Sequence, residues 1–200
     1  MNNPTAGKDS VELIEVSEDT KHNFSPITYF GATWDLSHLD SFAFRLDPGV
    51  GSKIDVVVIF SCHCFTHSIH KDGRPRNKIP QVEIYNGENE ERVLDPQRYN
   101  LSRQFLRNLI TKMPERRIII ANDDRRNYMT WHIYNSTGTN SIYGVFFDTE
   151  KDTKGRRRII LRVQSAYLLD SGLSRRQKEA KKVTWSVLLR ATYEGRKIKP

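Results

Sequence analysis

The run Ile54-Asp55-Val56-Val57-Val58-Ile59-Phe60 constrains the fold more than any other stretch of the chain. Apart from Asp55 it is continuously apolar and mostly β-branched, the composition of a strand buried on both faces. Such a strand needs neighbours on both edges, so it belongs near the centre of a sheet. Asp47-Pro48-Gly49 before it is a turn signal. The runs at 27–34 and 42–46 are shorter and strand-like, and could pair as a hairpin across 35–40. Residues 1–25 lack a sustained period and read as a flexible N-terminal arm ahead of a single domain over 26–200.

Beyond a polar connection over 67–92, with a short strand near 81–85, Leu101, Phe105, Leu106, Leu109 and Ile110 recur at helical spacing. With Asn100 or Ser102 as N-cap and Pro114 as the stop, they predict a helix over 102–112. Four strand-like runs follow, at 117–121, 128–134, 141–148 and 157–169, separated by turn-forming residues. Ser174 then caps an expected basic helix to about residue 190. The fold expected is α+β: a mainly antiparallel sheet, a helix before a four-stranded meander, and a basic C-terminal helix.

Charge is polarised along the chain. Residues 151–200 hold 15 Lys/Arg against 4 Asp/Glu, and residues 1–150 hold 17 against 20, so the overall +8 comes from the last quarter. That pattern supplies the nonspecific attraction needed to hold a phosphate backbone. Arg158, Arg162, Arg175, Arg176, Lys178, Lys181 and Lys182 are the candidate nucleic-acid contacts, with RNA or an acidic protein as partner. No apolar run is long enough for a membrane span and the N-terminal region has no secretory pattern, so a cytoplasmic location is expected.

Period-two alternation places Ile159, Leu161, Val163, Ser165 and Tyr167 on one side of the last strand, with Arg162 and Gln164 opposite. In the strand from Tyr128, Met129, Trp131 and Ile133 form the apolar side and leave His132 and Tyr134 opposite. His132, Tyr134, Arg162 and Gln164 are therefore expected on one wet sheet surface. Ribonuclease chemistry without a metal needs such groups: a base for the 2′-hydroxyl, an acid for the leaving oxygen and a cation for the phosphoryl charge. The same residues also suit an ordinary solvated sheet face.

Cys62 and Cys64 sit two apart, about 6.6 Å in an extended strand, too far for an unstrained disulfide. They read as packed thiols. Together with His67 and His70 they could hold zinc only if the chain turned after Phe65, and His63 or His67 could instead transfer protons. Nucleotide-hydrolase and serine-hydrolase motifs are absent. Asp123-Asp124 offers a pair of carboxylates within an expected turn. No cofactor is expected.

Trp34-Asp35-Leu36-Ser37-His38-Leu39, Phe60-Ser61-Cys62-His63-Cys64-Phe65-Thr66, Tyr143-Gly144-Val145-Phe146-Phe147 and Leu161-Arg162-Val163-Gln164-Ser165-Ala166-Tyr167 resemble bacterial proteins of prophages and mobile elements. Some of those carry the label stationary-phase growth adaptation protein, which implies no mechanism. The C-terminal half more weakly resembles the helix-then-strands layout of barnase, colicin and interferase ribonucleases, with Ser165-Ala166-Tyr167 as the Ser/Thr-x-Tyr piece. In the sharper version of the nucleic-acid reading, a metal-independent ribonuclease or toxin-like protein, His63 or His132 is acid or base, Arg162 stabilises phosphate, and Tyr134 or Tyr167 stacks or donates a proton. The other version is a non-enzymatic mobile-element protein that binds nucleic acid or an acidic partner.

Overall fold

A computed structural model describes residues 11–87, 89–120, 127–134, 140–154 and 157–198. Strands β1 (Glu12–Ile14), β2 (Ile27–Tyr29), β3 (Ala32–Trp34), β4 (Phe42–Leu46) and β5 (Ile54–Phe60) come first. Then follow β6 (Thr66–Ser68), β7 (Ile84–Asn86), β8 (Glu91–Leu94) and a helical stretch made of α1 (Pro96–Leu101), a π-helical turn (Ser102–Leu106) and α2 (Arg107–Thr111). The chain ends in β9 (Arg117–Ile119), β10 (Asn127–Tyr134), β11 (Asn140–Lys151), β12 (Arg158–Leu168), α3 (Arg175–Glu179), β13 (Lys182–Thr184) and α4 (Trp185–Tyr193).

The main sheet has the order β1-β4-β5-β12-β11-β10-β9-β13. All its pairings are antiparallel except β5 with β12, so the α+β class and the four-stranded meander hold. β5 lies inside the sheet, as its composition requires. Ile54, Val56, Val58 and Phe60 enter the principal core, while Val57 joins Ala43 and Ile160 in a smaller cluster on the other face. Tyr99, Leu106, Leu109 and Ile110 of the helical stretch, with Trp185, Leu188 and Leu189 of α4, cover the principal face.

Local chemistry accounts for four departures from the sequence expectations. Residues 27–34 do not pair with 42–46 but fold back on themselves, β2 against β3, through Phe30 and Gly31, both at positive φ (46° and 80°). Positive φ at both central residues is the turn geometry that matches strand twist in a two-residue hairpin. The helix begins at Pro96, not near Ser102, because the Asp95 side chain accepts from the backbone N–H groups of Gln97 and Arg98, both at 3.0 Å. Proline fits the first helical turn, where its missing N–H has no intrahelical partner.

The basic segment is not one helix to residue 190. Ser174 does cap α3 with a capping box, but Ala180 is extended, Lys182–Thr184 pairs with β9, and Thr184 caps α4. The arm expected over 1–25 is tied down where it is described: β1 pairs with β4, and the backbone N–H of His22 donates to Ser41 Oγ at 2.9 Å. Among the described residues no helix is long and apolar enough to cross a membrane.

Phe30 is 62% exposed and stands in a backbone region unfavourable to bulky L-residues. Asn tolerates that region. Phe30→Asn is expected to raise the free energy of unfolding by roughly 0.5–1 kcal/mol in a denaturant titration. A decrease instead would show that the edge contact of Phe30 with Tyr29, at 4.9 Å, outweighs the strain.

Candidate functional site

The site is organised by an irregularity in β12. Phe146 faces Ser165 and Phe147 faces Val163, so Gln164 has no partner on β11, and pairing with β5 ends at Val163. An unpaired residue of this kind is a β-bulge, and it reverses the alternation beyond it. Up to Val163 the expected faces hold. After the bulge, Ala166 lies in the principal core, and Ser165 and Tyr167 move to the outer face, the reverse of the sequence expectation.

The chain exploits the bulge to seat His63. Ser61 Oγ donates to the Gln164 carbonyl at 2.6 Å and accepts from the backbone N–H of His63 at 3.2 Å, capping the 3₁₀ turn Cys62–Cys64. The Arg98 guanidinium donates to the carbonyls of His63 (3.1 Å) and Thr66 (2.8 Å). The His63 Nε2 then stands 3.4 Å from Glu90 Oε1. Glu90 is also paired with the buried Arg92, whose hydrogen bond holds its carboxyl below the usual range.

His63, Arg162 and Gln164 line one groove of about 630 Å³ at the ends of β5 and β12. Arg162 is exposed and meets Glu150 at 3.0 Å. His22, Phe24 and Tyr85 form another part of the wall. His22 carries no short-range signal in the sequence, because a segment remote from His63 in the chain brings it there.

Other proposed residues lie elsewhere. His132 is exposed, with Nδ1 3.0 Å from Asn140 Oδ1. It pairs with Ile142, six positions along β11 from the Asp148 partner of Arg162. That separation is about 20 Å along the strand, with a further two strand spacings across the sheet. His132 and Arg162 therefore cannot act on one phosphate. Tyr134, opposite Asn140 at the hairpin end, is farther still by register. Tyr167 is stacked on Phe146 (5.3 Å between ring centroids), with the Arg98 guanidinium 4.6 Å from its centroid. Those contacts occupy the ring and tie it to packing.

Arg158 is the clearest correction among the expected nucleic-acid contacts. It is 4% exposed, donates to Asp19 at 2.7 Å and is also paired with Asp152. A buried guanidinium held by two carboxylates is a structural group, since removing either side strands a charge. The rest of the basic set is on the surface. Arg175, Arg176, Lys178, Lys181 and Lys182 are all exposed, and Arg175 makes an i,i+4 pair with Glu179. Register adds Arg117, exposed and opposite Thr184 of the edge strand β13, while Arg116 lies over the Trp131 ring at 3.8 Å. Charge counting misses both arginines because they precede the basic quarter by more than thirty residues.

The cysteine-histidine cluster also resolves. Cys64 is fully buried, and burial pushes its thiol up to about 12; burial also raises Cys62. His67 is held between Asp95 Oδ2 (3.2 Å) and Asp72 Oδ2 (3.1 Å), and His70 is exposed on a following turn. Arg74 lowers Asp72 below the usual carboxylate range. Among the described residues no three His, Cys, Asp or Glu are arranged to hold a metal ion. Asp123-Asp124 lies outside the described residues. His38 contacts Ser102 Oγ at 2.9 Å, and burial lowers its pKa.

The fold and the groove thus define an α+β protein with one mainly antiparallel main sheet and helices covering its principal face. The chain belongs to the YjaZ family, whose family model matches residues 26–193. That description names no activity and supports neither the stationary-phase label nor the ribonuclease likeness. No curated protein and no solved structure matches.

Thiolates, not thiols, are the reactive species. At pH 8 a disulfide-exchange reagent is expected to label Cys62 slowly and Cys64 more slowly still in the native protein, and to find two thiols in denaturant. Rapid native labelling of both, or one equivalent of zinc retained through dialysis against chelator, would contradict the packing.

Proposed function

We propose that this chain is a cytoplasmic nucleic-acid-binding protein, directed to RNA, that meets its ligand with the basic edge formed by α3, β13 and β9. The observation that carries this reading is the exposure of Arg175, Arg176, Lys178, Lys181 and Lys182 beside Arg117 on the edge of the sheet. Each phosphate met by such a cation releases counterions, so affinity falls steeply with salt. The resemblance to proteins of prophages and mobile elements belongs to the same proposal. Replacing Arg175, Arg176, Lys181 and Lys182 with Gln is expected to flatten the plot of log affinity against log salt by roughly 0.7–0.9 for each phosphate the variant no longer neutralises. An unchanged slope removes this edge from the binding surface. Absence of binding to any nucleic acid favours an acidic protein as the partner.

A second reading, a metal-independent and toxin-like ribonuclease, is favoured by one observation. His63 and Arg162 line the same groove, and Glu90 stands beside the imidazole. His63 is then the proton-transfer group and Arg162 the phosphate cation, while His132, Tyr134 and Tyr167 drop out of the catalytic set. Cleavage of labelled RNA should survive EDTA and follow a bell-shaped pH profile. His63→Ala should lower turnover by about 100- to 10,000-fold, whereas His132→Ala should leave it unchanged. If the wild-type protein cuts no RNA at any pH, the non-enzymatic binding reading stands alone.

A further inference from the structure

We propose that the groove beside His63 is a binding site for a single nucleotide unit, with its phosphate toward Arg162 and His63 and its base along the wall formed by His22, Phe24 and Tyr85. The proposal rests on the RNA-directed reading for its ligand class, but it concerns a surface separate from the basic edge.

Three observations carry it. The volume of about 630 Å³ lies within the range of small-molecule sites, which are mostly apolar with a few converging polar groups. This groove is more polar than that, with Asn23, Ser25, Asn89 and Glu90 in its lining beside the groups below. Its lining includes Arg162, His63 and Gln164, a cation, an imidazole and an amide. Glu90, the acid on the wall, has its charge met by the buried Arg92. The partner of Arg162 is Glu150, and both side chains are about half exposed, at 48% and 57%. Exposed pairs of this kind are weak, so a phosphate able to accept two parallel guanidinium bonds can take the place of Glu150.

The lining also includes an aromatic series. His22 meets Phe24 edge to face at 4.8 Å, Phe24 meets Phe65 at 5.2 Å and Phe65 meets Tyr85 at 5.0 Å. Phe65 is buried and anchors the series, while His22, Phe24 and Tyr85 line the groove. His22, Phe24 and Tyr85 are half-buried and none of these contacts is a parallel stack, unlike the series Tyr128, Phe146 and Tyr167 on the main sheet. A nucleobase can lie against such rings whatever its sequence identity. Nδ1 of His22 is buried with no hydrogen-bond partner among the described residues. Phosphate alone would leave the aromatic wall unused, and a nucleoside alone would leave Arg162 with Glu150.

Titrating the full chain with a nucleoside 3′-monophosphate, the matching nucleoside and inorganic phosphate, followed by calorimetry, tests this directly. The monophosphate should bind at least about tenfold more tightly than either half. Arg162→Gln, a surface change, should weaken it by about tenfold or more, and His132→Gln should have no effect. Binding of phosphate as tight as that of the nucleotide, no binding of the nucleotide, or an unaffected Arg162→Gln variant would overturn the proposal. If RNA binds and the nucleotide does not, the groove assignment fails while the basic edge survives. If the nucleotide binds and RNA shows no salt-dependent attachment, the edge reading fails instead.

Discussion

The parallel pairing of β5 with β12 is the contact on which the rest of the architecture depends. It joins two strands far apart in the chain, from Asp55 against Arg158 to Phe60 against Val163, and brings both into the sheet interior. Parallel strands need cover on both faces and a long crossover between them. The crossover here contains the three-stranded sheet of β6, β8 and β7, the helical stretch and the first strands of the meander. Helices cover the principal face, and among the described residues Ala43, Val57 and Ile160, with Ile14, Val16 and Ile59 against them, form the cluster on the other. Where that pairing ends, at Val163, the strand is released to bulge, and the groove begins.

The central strand was legible because its composition allows no other role, and the meander because each run is long and bounded by turn residues. The bulge was not legible. Strict alternation predicts Tyr167 beside Val163, and nothing in Val163-Gln164-Ser165 signals an unpaired residue. What stabilises it is a tertiary bond, Ser61 Oγ to the Gln164 carbonyl, between residues 103 positions apart. Period-two reasoning is local, so it fails where a distant hydroxyl satisfies a carbonyl that the ladder has dropped. The early start of the helix is a different case. Asp95-Pro96 is a start signal that sequence rules recognise, and the apolar periodicity beginning at Leu101 obscured it.

Counting charges located the basic surface but could not sort its members. Arg158 and Arg162 lie four residues apart on one strand and look alike in the sequence. One is buried between Asp19 and Asp152, and the other stands in water opposite Glu150. The difference comes from the segment after β1, where Ser17 and Asp19 close over the end of β12. That acidic partner sits 139 residues away and in a stretch whose composition reads as a loose arm. The segment after β1 is thus held by an ion network as well as by the edge pairing of β1.

The proposed groove and the proposed edge are related through the sheet. Arg162 alternates with the core-facing residues of β12, and Tyr128, whose hydroxyl donates to the Gln177 carbonyl of α3, alternates with those of β10. Both therefore belong to the outer face, with four strand spacings, about 19 Å, between β12 and β13. Between them lie the rings of Tyr128, Phe146 and Tyr167, stacked on one another, with Tyr128 buried. Those rings make the face rigid without making it a stacking surface. A ligand that engages both ends must therefore be held by charge at the edge and by shape at the groove, with an interval of several nucleotides that the protein leaves unread. Single-strand binders with site sizes of about 4–16 nucleotides work across comparable spans. On this geometry, affinity would be set at the edge by the number of phosphates met, and any selectivity for a base or for chemistry at a phosphate would be set in the groove.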